Sequence, residues 1–82
     1  MDIPSLKLFI TLSRNPYFGK TSEEMHMSLL AVSRALQRIE DQFGHLRLVR
    51  DNRSAQLIEE GRVFLEYALG IVKRWEALKR DL

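Results

Sequence analysis

The last 24 residues, Glu59 to Leu82, contain no proline and place Phe64, Ala68, Ile71, Trp75, Leu78 and Leu82 at separations of 4, 3, 4, 3 and 4 residues. That is the spacing of a coiled-coil seam, and it predicts one long helix over 59–82. Gly61 and Gly70 are compatible with such a helix at a local cost. Leu65, Leu69 and Val72 lie beside the seam, so one flank can cover the rest of the chain while the other meets a second copy. The whole chain has 82 residues. Such a length carries one small core of marginal stability, which a partner subunit would reinforce.

Upstream the pattern is also helical. Asp2 is a cap with Pro4 in the first turn, and Ile3, Leu6, Phe9, Ile10 and Leu12 recur at helical spacing until Arg14-Asn15-Pro16. A first helix over about 3–13 follows from the cap, the spacing and the stop. Thr21 or Ser22, followed by Glu23 and Glu24, reads as the capped start of a short second helix ending near His26. Ser28 offers another cap, and a third helix runs from Leu29 to Phe43. Val32, Leu36, Ile39 and Phe43 form its apolar stripe, and Gly44 stands at the stop position. A short helix followed by a long one about a turn away has the layout of a helix-turn-helix. Beyond Gly44 the period changes to alternation: Leu46 and Leu48 lead into an Asp51-Asn52 turn, and Arg53 to Leu57 returns with Ala55 and Leu57 on one face. The fold class expected is mainly α, a winged helix-turn-helix with a small β-hairpin wing and a long C-terminal helix. Residues 1–58 form the winged domain and 59–82 the dimerisation helix.

Charge is unevenly placed although the net formal charge is only +2. Residues 1–43 and 58–82 each balance five basic against five acidic side chains. The excess lies in 44–57, where Arg47, Arg50 and Arg53 face only Asp51. A concentrated arginine patch suits a phosphate or groove contact, and equally describes three solvated arginines on a hairpin. The chain has no cysteine, which removes disulfides and thiolate chemistry and suits a reducing cytoplasm. Its start lacks a basic segment followed by an apolar run, and no stretch has the length of a membrane span. A cytoplasmic location away from membranes is expected.

The outward face of the third helix is the candidate reading surface. With 100° per residue, the stripe residues cluster in one direction while Leu30, Ser33, Arg34, Gln37, Arg38 and Asp41 project elsewhere. Arg34 can fork onto guanine or phosphate, Gln37 can pair with adenine, and Ser33 can serve base or backbone. Every amphipathic helix has a polar face, so this alone does not decide. Leu30 is the exception on it: contact with a thymine methyl explains it, and so does packing against the first helix or another subunit. Ser28 can cap the helix and can also bring a phosphate to its N-terminus.

These residues resemble a known family. The segment FGKTSEEMHMSLLAVSRALQRIEDQFG is similar to the helix-turn-helix of LysR-type transcriptional regulators, with His26, Ser28, the Ser33-Arg34 pair, Arg38, Glu40 and Gly44 in the family's pattern. Phe9 and Phe18 fit it too, and the similarity continues through Arg50, Leu57, Glu59 and Gly61. Within the family, LVRDNRSAQL looks most like regulators of branched-chain amino-acid biosynthesis. The resemblance implies a homodimer on double-stranded DNA, with helix 29–43 in a major groove of an interrupted palindrome and the 46–57 wing near the minor groove. It implies DNA contacts from Ser28, Leu29, Leu30, Ser33, Arg34, Gln37 and Arg38, with Arg50 and Arg53 in the wing. A small-molecule effector would act through a further domain outside this sequence. The sequence departs from the family at Leu29-Leu30, where a Gln followed by Pro or Ser is frequent. It departs again at Arg47-Leu48, usually Leu-Phe, at Ile58, usually a capping Thr, and at Glu60, usually Ala.

The competing reading is a protein-interaction module that pairs its 59–82 helix with a partner on a winged scaffold. Near-neutral charge outside the wing supports it. An enzyme has less support: Glu24 and His26 are two apart and point in different directions, and His45 is isolated. No glycine loop for phosphate, carboxylate pair or nucleophile with a base is present, so no catalytic residue, metal or cofactor is expected.

Overall fold

The computed structural model describes residues 1–51 and 54–82, and the side chains outside 48–54. The elements run α1 (Ile3–Arg14), α2 (Phe18–Met25), α3 (Leu29–Phe43), β1 (Arg47–Asp51), β2 (Ser54–Leu57) and α4 (Glu59–Asp81). This is the mainly α winged helix-turn-helix expected from the sequence, with its hairpin and long last helix.

α1 starts where local chemistry puts it. The Asp2 carboxylate accepts the Ser5 N–H at 3.0 Å and the Ser5 hydroxyl at 2.7 Å. Pro4 stands in the first turn, where its missing N–H is no loss. Asn15 turns extended and ends the helix before Pro16.

α2 departs from the expectation of a start at Thr21 or Ser22. It begins at Phe18, three residues earlier, behind Tyr17, which makes no side-chain capping bond. Phe18 and Thr21 are one turn apart and both are buried, so tertiary burial places the helix start and the hydroxyl signal does not. Glu23 and Glu24 consequently lie in its C-terminal half. His26 closes the helix in the left-handed region at φ 55°. The Met27 N–H returns to the Ser22 carbonyl at 3.0 Å, and the Ser22 hydroxyl donates to the Met27 carbonyl. The tight connection to α3 is built from these bonds.

α3 has the predicted bounds. Ser28 accepts the Ala31 N–H at 3.0 Å, and Gly44, at φ 89°, sends its N–H to the Glu40 carbonyl at 2.7 Å. Val32, Ala35, Leu36 and Ile39 are buried against Leu8, Phe9, Leu12 and Phe18. Phe43 is half-exposed at the edge of this core and meets the Phe64 ring edge-on, with centroids 5.3 Å apart.

The hairpin pairs Arg47 with Leu57, Leu48 with Gln56 and Val49 with Ala55, then shifts register before Asp51 pairs with Ser54. Asp51 is the last residue of the first strand, and the rest of the expected Asp51-Asn52 turn lies, with Arg53, outside the described residues. The Ala55 N–H donates to the Pro16 carbonyl at 2.9 Å, tying the returning strand to the α1–α2 connection.

Ile58 stands at the cap position before α4 and makes no side-chain capping bond, as the missing threonine implied. Glu59 and Glu60 in its first turn and Lys79 and Arg80 in its last complement the helix dipole. Its first half completes the core: the Phe64 ring packs edge-on to Phe9 at 4.7 Å, and Ala68 is buried with Leu6 and Ile10. Gly61 is required here, because a Cβ at this position would run into the Leu46 carbonyl, whose oxygen already accepts the Ile58 N–H at 3.3 Å. Lys7 and Glu76 join α1 to α4 by an ion pair at 2.9 Å.

Candidate nucleic-acid interface

Folding leaves one face of α3 uncovered. Leu30, Arg34, Gln37 and Asp41 follow one another at three- and four-residue steps and are all exposed. Leu29 and Ser33 flank this row on one side, Leu29 exposed and Ser33 half-buried. Arg38 stands on the other side, where it joins Met1, Asp2, Ser5 and Gln42 around a shallow cavity between the start of α1 and α3. Seven of the nine expected DNA-contact residues, Ser28 to Arg38, thus occupy one outward surface on α3 and its cap.

Hydrogen bonding distinguishes these side chains. Arg34 has no ion pair among the described residues, so its five donors are available to a ligand. The Gln37 amide donates to the Asp41 carboxylate at 3.0 Å. The second amide N–H and the carbonyl oxygen remain for a contact to adenine. The Ser28 hydroxyl is occupied as the helix cap.

The arginine patch is smaller than the sequence suggested. Arg47 is turned inward, 14% exposed, and its Nε donates to Oε1 of the buried Glu40 at 2.7 Å. The other Glu40 oxygen accepts the Leu46 N–H at 3.2 Å. Glu40 therefore holds the start of the wing against α3, and Arg47 serves the fold. Sequence reasoning missed this clamp, although the pairing of an acid on the buried side of α3 with an arginine in the first wing strand was its available signal. Arg50 lies in β1 with its side chain outside the described part, and Arg53 lies outside it altogether.

The coiled-coil seam of α4 is divided between two tasks. Ala68 is buried and Phe64 half-buried within the chain, whereas Ile71, Trp75 and Leu78 are exposed and Leu82 is 97% exposed at the end. Val63 and the 71% exposed Tyr67 extend the free apolar surface toward the N-terminus of α4. With Leu6, Phe43 and Leu46 they line an apolar groove of about 440 Å³. The free stripe is thus rotated by about a quarter turn from the packed one, a division visible only once α1 has taken its side of the helix. Among the described residues no helix is long and apolar enough to cross a membrane.

Comparison with known proteins places these features in a family. Residues 3–62 match the model of the bacterial regulatory helix-turn-helix proteins of the lysR family. The transcriptional activator IlvY of Haemophilus influenzae is 39% identical over 82 residues, covering all of this chain and 28% of that protein. The Escherichia coli K12 regulator IlvY is 33% identical over the same span, also 28% of its length. These relatives agree with the subgroup suggested by LVRDNRSAQL. The structure of full-length CbnR in complex with its target DNA is 27% identical, with a TM-score of 0.84 over 99% of this chain and 28% of that one. The BenM DNA-binding domain on its benA site shares the fold, with a TM-score of 0.85 at 22% identity over 98% of this chain and 93% of that one. The chain belongs to the lysR family of bacterial regulatory helix-turn-helix proteins.

Proposed function

We propose that the chain binds double-stranded DNA sequence-specifically as a homodimer, with α3 in the major groove of an interrupted palindrome and the 46–57 wing near the minor groove. The observation that carries this reading is the outward row on α3, where an unpaired Arg34 stands beyond a serine-capped helix start. A helix N-terminus of this kind receives phosphate, and an unpaired guanidinium forks onto guanine. CbnR, a relative with the same fold, has been solved on its target DNA.

In this proposal residues 1–58 supply DNA contact and 59–82 the dimer. The apolar stripe of Val63, Tyr67, Ile71 and Leu78 supports a second copy as the occupant. Arg50 and Arg53 are assigned to the wing contact. The chain spans 28% of the length of the curated relatives it matches. A small-molecule effector is accordingly assigned to a part of a longer protein outside these residues, and the cytoplasm to its place of action.

Selection of bound duplexes from a random DNA pool tests the reading. Enrichment of two inverted half-sites is expected. A protein-interaction module would enrich no sequence.

A further inference from the structure

Leu29 and Leu30 occupy the first turn of α3, yet they are 56% and 57% exposed. Neither belongs to the two clusters that make up the core or to the partly buried residues packed against them. Packing against α1, one of the explanations open at the level of sequence, is therefore removed. Leu30 stands one turn before Arg34 and two before Gln37 on the same row, so any surface met by Arg34 also meets Leu30. On that row one of the two Gln37 amide N–H groups is engaged by Asp41. The polar groups available for base contact on this surface, Ser33, Arg34, Gln37 and Arg38, do not account for two uncovered leucines.

In the major groove the base-edge apolar group that distinguishes one base from the others is the 5-methyl of thymine. We infer that Leu29 and Leu30 are specificity-determining residues that select thymine by packing on its methyl groups, next to the base or phosphate held by Arg34. This rests on the DNA-binding reading above and gives it a chemical preference: each half-site carries thymine opposite the first turn of α3.

The test uses the duplex enriched from the random pool and replaces its thymines one at a time by deoxyuridine, which removes the methyl and keeps every hydrogen-bonding group. For the unaltered chain, at least one replacement in each half-site weakens binding roughly fourfold, the value of one buried methyl-sized group. In the Leu29→Ala/Leu30→Ala double variant that penalty disappears, and in Leu29→Met/Leu30→Met it persists. Both variants change exposed positions to good helix formers, and thermal unfolding checks that each is folded. If no thymine shows a penalty, or if the penalty is unchanged in the alanine variant, the inference is overturned while an enriched sequence leaves the DNA-binding reading standing. If the pool enriches no sequence at all, the DNA-binding reading fails and the inference with it.

Discussion

Replacing Arg34 by alanine removes the one cation on the outward row of α3 that is free of ion pairs among the described residues. The expected cost is roughly 1–3 kcal/mol of specific binding, with relaxed selectivity at one base position. Competition titration against point-substituted duplexes reads both quantities, and unchanged values would take Arg34 out of the reading surface. Glu40 acts at the same scale on the fold. Its carboxylate serves Arg47 and the Leu46 N–H from a buried position, so Glu40→Ala strands a buried guanidinium and a backbone donor. A loss of about 3 kcal/mol is expected in chemical denaturation, partly recovered by adding Arg47→Leu. An unchanged midpoint would contradict the clamp. Sequence made Arg34, Ser28 and Leu30 legible because helical periodicity alone separates their face from the core. It could not make the clamp legible, because Arg47 counts as a free charge until the hairpin folds back beside α3.

Among the elements, α3 was readable from its cap and periodicity and the long helix from its periodicity, while the start of α2 was not. An eight-residue helix makes too few turns for its period to outweigh a misleading Thr-Ser pair, and burial of Phe18 and Thr21 decided its start. The contact between α1 and α4 yields a pH prediction. Hydrogen bonding from Lys7, and secondarily from Lys79, holds the Glu76 carboxyl below its ordinary value. A carboxylate whose folded-state value is depressed stabilises above its unfolded-state value, and that contribution is lost as pH falls through the folded one. Thermal unfolding at a series of acidic pH values is expected to fall less steeply for Glu76→Gln than for the parent chain. Parallel acid slopes would show that the Lys7–Glu76 contact contributes nothing.

At the scale of the whole molecule, one helix carries two apolar faces, one packed and one free. The inner side of α4 completes the core through Phe64, Leu65 and Ala68, and its free stripe carries Tyr67, Ile71 and Leu78 into solvent. The 4-3-4 spacing predicted a seam but not its division, since Phe64 and Ala68 satisfy a partner and a core equally well until α1 is in place. Ile71→Glu puts a charge in the free stripe without touching the packed one, so the fold should survive. Sedimentation is expected to show a shift toward monomer, accompanied by weaker binding to a two-half-site duplex; an intact dimer would refute the assignment. Sequence-specific DNA binding is the proposed activity. Its most direct measurement is the affinity for the enriched palindrome and for a scrambled duplex of equal composition, across a range of salt. Both affinities are expected to fall as salt rises, with the palindrome bound roughly a thousandfold more tightly. Equal affinity for the two duplexes, or no binding even at low salt, would contradict it.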